Sequence, residues 1–235
     1  FPDRRAAEET HGMGQELNQW TAEELPAVIP IFPLAGVLLL PGGRLPLNIF
    51  EPRYLEMTQD AMASQRIIGM IQPADPFSRD FEPETYHTGC AGLISEFEET
   101  ADNRILITLT GVCRFDVANE LPREGLPYRR VAARYQSFAC DLIRENAIAL
   151  DRDLLISALK KFFDARGMSA DWSAIDELCN EDLMTNFAMA CPFGPSEKQA
   201  LLECRETNER SAMFQALLEM AAHERDGMEG TTAPQ

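Results

Sequence analysis

The 235-residue sequence predicts an α+β protein, with a module of short strands in its first half and a helical bundle in its second. Three observations carry that prediction. Apolar runs between Ile29 and Phe50 are cut by Pro30, Pro33, Pro41 and Pro46, and proline has no amide with which to continue a central strand. The segment Ile105-Leu-Ile-Thr-Leu-Thr110 is rich in the β-branched residues that suit a pleated surface. From Leu154 onward the period changes, because Leu154, Leu155, Ala158, Leu159, Phe162 and Phe163 recur at steps of one and three, as on one helix face.

Taken in order, residues 1–24 are polar, acidic and without sustained apolar periodicity, and read as a mobile tail with a transient helix near Glu16–Trp20. The β module is expected over 25–138. Gly42-Gly43 after Pro41 signals a tight reversal joining strands at Val37–Leu40 and Leu45–Phe50, a pair at a sheet rim. A helix follows near Pro52–Ser64, with Pro52 in the first turn that tolerates it. Ile67–Ile71 is a short strand ended by Pro73, and a loop then mixes Pro73, Pro76 and Pro83 with Phe77, Phe81 and Tyr86. Cys90–Glu99 and Ile105–Thr110 form a hairpin around Ala101–Arg104. Gly111 marks a bulge or bend before Val112–Val117, and Arg130–Tyr135 is the last strand.

The helical bundle is expected over 139–225. Gly167 ends its first helix, Ser173 and Asp176 open a short second one, and a third runs from about Leu183 to Cys191. Ser196 and Gln199 have the spacing of a capping box, and the last helix, about Glu206–His223, carries Met213, Phe214, Leu217, Leu218 and Ala221 on one face. Residues 226–235 are expected to be a disordered tail.

A net charge of −17 excludes more than it assigns. Residues 138–235 hold 9 basic and 18 acidic side chains, and no region is basic. Phosphate neutralisation by Lys and Arg drives nucleic-acid affinity, so neither that partner nor an anionic membrane is expected. Six scattered cysteines without C-x-x-C spacing, and no apolar run of bilayer length, fit a reduced cytoplasmic protein.

Several blocks together resemble the N-terminal, substrate-binding domain of the Lon protease family. They are Pro30-Ile-Phe-Pro33-Leu34, Leu40-Pro-Gly42, Leu47-Asn-Ile-Phe50-Glu51-Pro-Arg53-Tyr54, Gly89-x-x-Gly92, Thr110-Gly111-Val-Cys-Arg114-Phe115, Glu197–Glu203 and Asn208–Arg210. The resemblance implies a PUA-like antiparallel β pseudo-barrel followed by the helices, and a stand-alone domain without the ATPase and peptidase parts. It implies recognition of unfolded or hydrophobic polypeptide segments, with a role as adaptor in protein quality control or beside a protease. The alternative is a module docking one dedicated folded partner. No catalytic role is expected. There is no G-x-x-x-x-G-K-[ST] to cradle nucleotide phosphates, and Lys160, Lys161 and Lys198 lie in no peptidase-like context.

The candidate peptide-binding residues are Phe77, Phe81 and Tyr86 in the proline-rich loop, with Phe32 and Leu39 from the rim. The loop aromatics serve equally as a lid folded over the barrel or as an exposed surface, and short strand edges offer strand addition as a second mode. Glu51 and Arg53 are read as an internal ion pair fixing a strand-to-helix junction, ahead of a recognition pair. His87, Cys90 and Cys113 resemble a metal site but supply three ligands where zinc wants four, so neither metal nor cofactor is expected.

Overall fold

The computed structural model describes residues 20–143 and 150–229, with side chains as far as residue 221. Of the expected tails, 1–24 and 226–235, residues 1–19 and 230–235 lie outside the described residues. Six strands are present: β1 (Val28–Pro33), β2 (Arg44–Ile49), β3 (Ile67–Ile71), β4 (Thr88–Glu99), β5 (Ile105–Glu120) and β6 (Arg129–Arg134). The order β2-β5-β4-β3-β1-β6, with β6 pairing back onto β5, closes a ring of five strands to which β2 is appended. This is the PUA-like pseudo-barrel, and its pairings are antiparallel except β1 with β3. Those two run parallel because β2 and helix α1 (Pro52–Met62) lie between them in the chain and bring it back in the same direction.

Strand β5 pairs with β2 over its first half, as in Leu47 with Ile107, and with β6 over its second, as in Asp116 with Arg134. A register shift opposite Ala91 and Gly92 bends the strand between these halves, next to Gly111. Gly111 is required there by backbone contact. A Cβ on it would lie 2.0 Å from the Leu40 carbonyl oxygen, while Gly111 N donates to Gly43 O at 2.8 Å.

That contact also corrects the expected rim hairpin. Val37–Leu40 forms no strand; it runs as an irregular, buried segment against the bend of β5, and β1 and β2 lie apart in the sheet. Its three leucines are buried because they pack on the barrel, which alternation alone does not distinguish from strand burial.

Two cores result from the two faces of the strands. A core centred on Phe115 takes Ile29, Ile31, Ile67, Ile71, Val131 and Tyr135. The other joins Ile68, Met70, Ile107 and Leu109 to Met57 of α1 and to the helical half. Strand β3 contributes to both, which is why Ile67–Ile71 reads as one continuous apolar run.

A short 3-10 helix (Gln136–Leu142) leads toward the helical half, which comprises α2 (Arg152–Arg166), α3 (Trp172–Asp176), α4 (Asn180–Ala190), α5 (Pro195–Glu203) and α6 (Thr207–Glu229). Asp151 caps α2 by accepting from Leu154 N, and Gly167 closes it at a left-handed φ of 62°. Leu155, Leu159, Phe162 and Phe163 are buried as expected, whereas Leu154 faces solvent. The cap of α3 is Asp171, not Ser173; its carboxylate accepts from Ser173 N and Ala174 N. At α5 the N-cap is Gly194, and Glu197 reaches back to accept from Gly194 N at 2.6 Å. Pro195 sets the first turn two residues earlier than a cap at Ser196 would, which frees Gln199 for another task. The last helix runs on to Glu229, past residue 226 where fraying was expected.

Candidate functional site

Residues 72–86 form a loop closed at its base and open at its tip. Pro73 and Thr85 pair as an isolated bridge, flanked by Ala74 N donating to Glu84 O at 2.8 Å and Tyr86 N to Gln72 O at 3.0 Å. Three arginines, from α1, from β6 and from the connection 121–128, then hold residues 81–83 of the loop. Arg53 of α1 donates to Phe81 O at 3.1 Å, Arg129 of β6 donates to Pro83 O at 2.7 Å, and Arg123 pairs with Glu82 at 2.6 Å. Arg129 is itself fixed by a bidentate pair with Glu120. Backbone carbonyls without partners would leave such a loop free to sample many shapes; here those of Phe81 and Pro83 are tied to Arg53 and Arg129.

The aromatic side chains of this anchored loop point outward. Phe77 is 88% exposed and Phe81 67%, while Tyr86 is half-buried at the base. Of the two readings of the loop, the exposed surface is the one the fold displays, not a lid over the barrel. Beneath Phe81 the Arg53 guanidinium lies 4.2 Å from its ring centroid and 4.5 Å from that of Tyr54. Tyr54 in turn stacks on Phe32 at 4.2 Å between centroids. The result is a column from core to surface: Phe32, Tyr54, Arg53, Phe81.

Phe32 and Leu39 are thereby corrected as contact residues. They are 9% and 2% exposed and serve the core, Phe32 as the foot of this column. Glu51 and Arg53 do pair, Nη2 to Oε2 at 2.8 Å, but as a half-exposed surface pair and not a buried one. Their pairing fixes the guanidinium between two rings. Phe50 is 61% exposed with Arg104 over its ring, whereas Tyr54 and Phe115 are core residues. Pro33 ends β1, and Gly42 takes a φ of 78° in the turn before β2.

Arg114 has the most elaborate environment of the motif residues. Its side chain is 1% exposed, paired bidentately with Asp141, stacked on Phe138, and bonded to the carbonyls of Leu202, Cys204 and Arg205 at the end of α5. At the other end of α5, Gln72 donates to Pro195 O, and from the middle of that helix Gln199 donates to Thr88 O. Barrel and helices are therefore joined through both ends of one helix. His87, Cys90 and Cys113 gather no metal-binding group, and among the described residues no cluster of three such ligands occurs. Burial pushes the thiols of Cys90 and Cys113 up, so both are held as neutral packing groups.

Sequence reasoning missed Arg123, Arg129 and Glu82, which position the loop, and Gln72, which positions the helices, and it read Gln199 as a cap where the structure has it bridging helix and barrel. Their signal is weak because each acts across 40 or more residues of chain, as in Arg129 to Pro83.

Strand addition has a specific obstacle. Proline cannot donate to a ladder, so Pro46 must turn its nitrogen away from β5, toward the free edge of β2. That edge therefore lacks a donor at its centre.

Comparison with known proteins places these features in a family context. The family model for the ATP-dependent protease La (LON) substrate-binding domain matches residues 28–220. A Lon protease of Anaeromyxobacter dehalogenans is 24% identical over 204 residues, covering 83% of this chain and 23% of that protein. A Lon protease of Flavobacterium johnsoniae is 25% identical over 201 residues, covering 84% of this chain and 24% of that protein. The chain thus spans about a quarter of the length of these relatives. Among solved structures, a Lon N-terminal domain protein from Xanthomonas campestris superposes with a TM-score of 0.54 at 19% identity, covering 83% of this chain and 98% of that one. The N-terminal domain of a Mycobacterium avium complex Lon protease gives 0.55 at 16% identity, covering 84% and 98%.

Proposed function

The chain belongs to the LON substrate-binding domain family, and from that premise we propose that it is a non-catalytic module that binds unfolded or hydrophobic polypeptide segments. The matched region corresponds to the substrate-binding domain of the relatives and not to their ATPase or peptidase parts. One observation carries the reading to particular residues: Phe77 and Phe81 stand exposed on a loop that Arg53 holds at Phe81 O, Arg129 at Pro83 O and Arg123 through the Glu82 carboxylate. Large rings held out in water cost free energy unless a partner covers them, and anchoring removes much of the ordering cost that binding would otherwise incur. An adaptor role, presenting captured chains to a protease or another protein, follows from the same module.

The test compares wild type with a Phe77→Ser/Phe81→Ser double variant in binding an unfolded model polypeptide, with photo-crosslinking to locate contact. A loss of about tenfold or more with unchanged circular dichroism is expected. Crosslinks that avoid residues 73–88 altogether would sink the assignment. Recovery of a single folded partner in stoichiometric amount, with no response to unfolded chains, would favour the dedicated-partner alternative.

A further inference from the structure

A concave groove lies between the start of β2, the segment 36–38 and helices α4 and α5. It encloses about 270 Å³ and is lined by Val37, Leu38, Leu45, Pro46 and Met189, with Arg44, Asn186 and Lys198 as its polar members. No carboxylate lines it, in a protein of net charge −17. Lys198 is 8% exposed, donates from Nζ to Gly36 O at 2.9 Å, and pairs with no carboxylate among the described residues. An ammonium has three donors, and one carbonyl engages one of them. A nearly buried cation without a counter-ion is costly, and an anion beside it would offset that cost. Arg44 adds a second cation at the rim, shared with Glu96 on β4.

We propose that this groove receives the C-terminal carboxylate of an apolar peptide, with Lys198 as its main contact. Charge selects a carboxylate, and the apolar walls select what is attached to it. Size and the edge of β2 select a chain end. The volume holds roughly two residues by comparison with the cavities that ordinary ligands fill. A peptide running on along β2 would meet Pro46, where the ladder has no donor. A terminus stops short of that gap. Burial holds the Lys198 pKa below the ordinary lysine range, and an incoming carboxylate would restore it.

The inference rests on the polypeptide-binding reading but concerns a different surface, so the two fail separately. The probe is the labelled hexapeptide Ser-Gly-Ser-Gly-Val-Leu, as free acid and as C-terminal amide, titrated into the full chain by fluorescence anisotropy. The acid is expected to bind about tenfold tighter than the amide, as a charge-assisted contact requires. Lys198→Met should abolish that preference, Arg44→Gln should weaken it, and the Phe77→Ser/Phe81→Ser variant should leave it intact. If Lys198→Met does not fold, a diazirine on the terminal leucine decides in wild type, where crosslinks to Met189 or Leu45 are expected. Equal binding of acid and amide, binding of neither, or a preference that survives Lys198→Met with crosslinks elsewhere overturns the proposal. Retained, Phe77-dependent capture of an unfolded chain in any of those cases leaves the first reading standing.

Discussion

Arg114 and Asp141 face each other in a bidentate ion pair that is almost wholly buried, with Nη2 to Oδ1 at 2.7 Å and Nε to Oδ2 at 2.8 Å. Burial by itself would lower the Arg114 pKa, but the bonds and charge of Asp141 outweigh it and raise it, so the guanidinium stays charged. The same guanidinium caps three carbonyls at the end of α5. Arg114→Met leaves a buried carboxylate unpaired and is expected to destabilise by about 3–5 kcal/mol. Removing both partners by Arg114→Met/Asp141→Leu should cost less than the sum of the two single changes, since neither charge is then stranded. Urea denaturation of the four proteins measures this coupling, and strict additivity would refute it.

Arg53→Ala should act on the loop before the fold. The side chain is partly exposed, so its contribution to stability is discounted to about 1 kcal/mol. The expected signature is a drop of a few degrees in Tm together with faster amide exchange in residues 77–83. Unchanged exchange in that segment would show that the stack of Arg53 on Phe81 does not hold it.

Gly111→Ala tests the bend of β5. The added methyl would collide with the Leu40 carbonyl group and force the buried leucine segment off the strand. A loss of about 3 kcal/mol is expected, because backbone on both sides leaves nothing soft to move. Near-wild-type stability in thermal melts would mean that the segment 38–41 is not seated there.

Alkaline pH should weaken the protein. Burial raises the thiols of Cys90, Cys113 and Cys204 and pushes that of Cys191 up to about 12. Unfolded cysteines ionise at about pH 8.5. Above that pH the unfolded chain has released protons that the folded chain keeps, so stability falls as pH rises. Lys198 and Arg210 work in the opposite sense, since their lowered folded pKa lets the unfolded state hold the extra proton, but the raised thiols, Cys179 included, outnumber them. Urea midpoints between pH 7 and 10 under reducing conditions should decline above about 8.5, and less steeply for Cys191→Ala. A flat profile is the contrary result.

Much of this architecture is written locally. The change of period after Leu154, the β-branched run at Ile105–Thr110 and the run Glu51-Pro-Arg-Tyr54 each settle a short-range question of strand, hairpin or helix start. Misreadings arose where a long-range contact decides. Leu38, Leu39 and Leu40 are buried by the bend of β5, which looks in the chain like burial within a strand. Ser196 has the right spacing for a cap, but Pro195 and Glu197 start the helix around Gly194. The aromatic loop was legible from Phe77 and Phe81 because prolines and rings share a segment. Its anchors were not, since Arg123 and Arg129 look like ordinary surface charges until the barrel closes.

The bent β5 has a bearing on how this chain tolerates change in length. Its first half is in register with β2 and its second with β6, while β4 runs beside both. An insertion or deletion of one residue within it would slip one half relative to the other and turn an entire face inside out. Related chains that vary in length therefore have to do so elsewhere, in the tip of the 100–104 turn, in 121–127, or in the loop that carries Phe77. The exposed aromatic loop sits where the fold can accept a new length without rebuilding the barrel, so its shape is free to diverge while its support stays fixed.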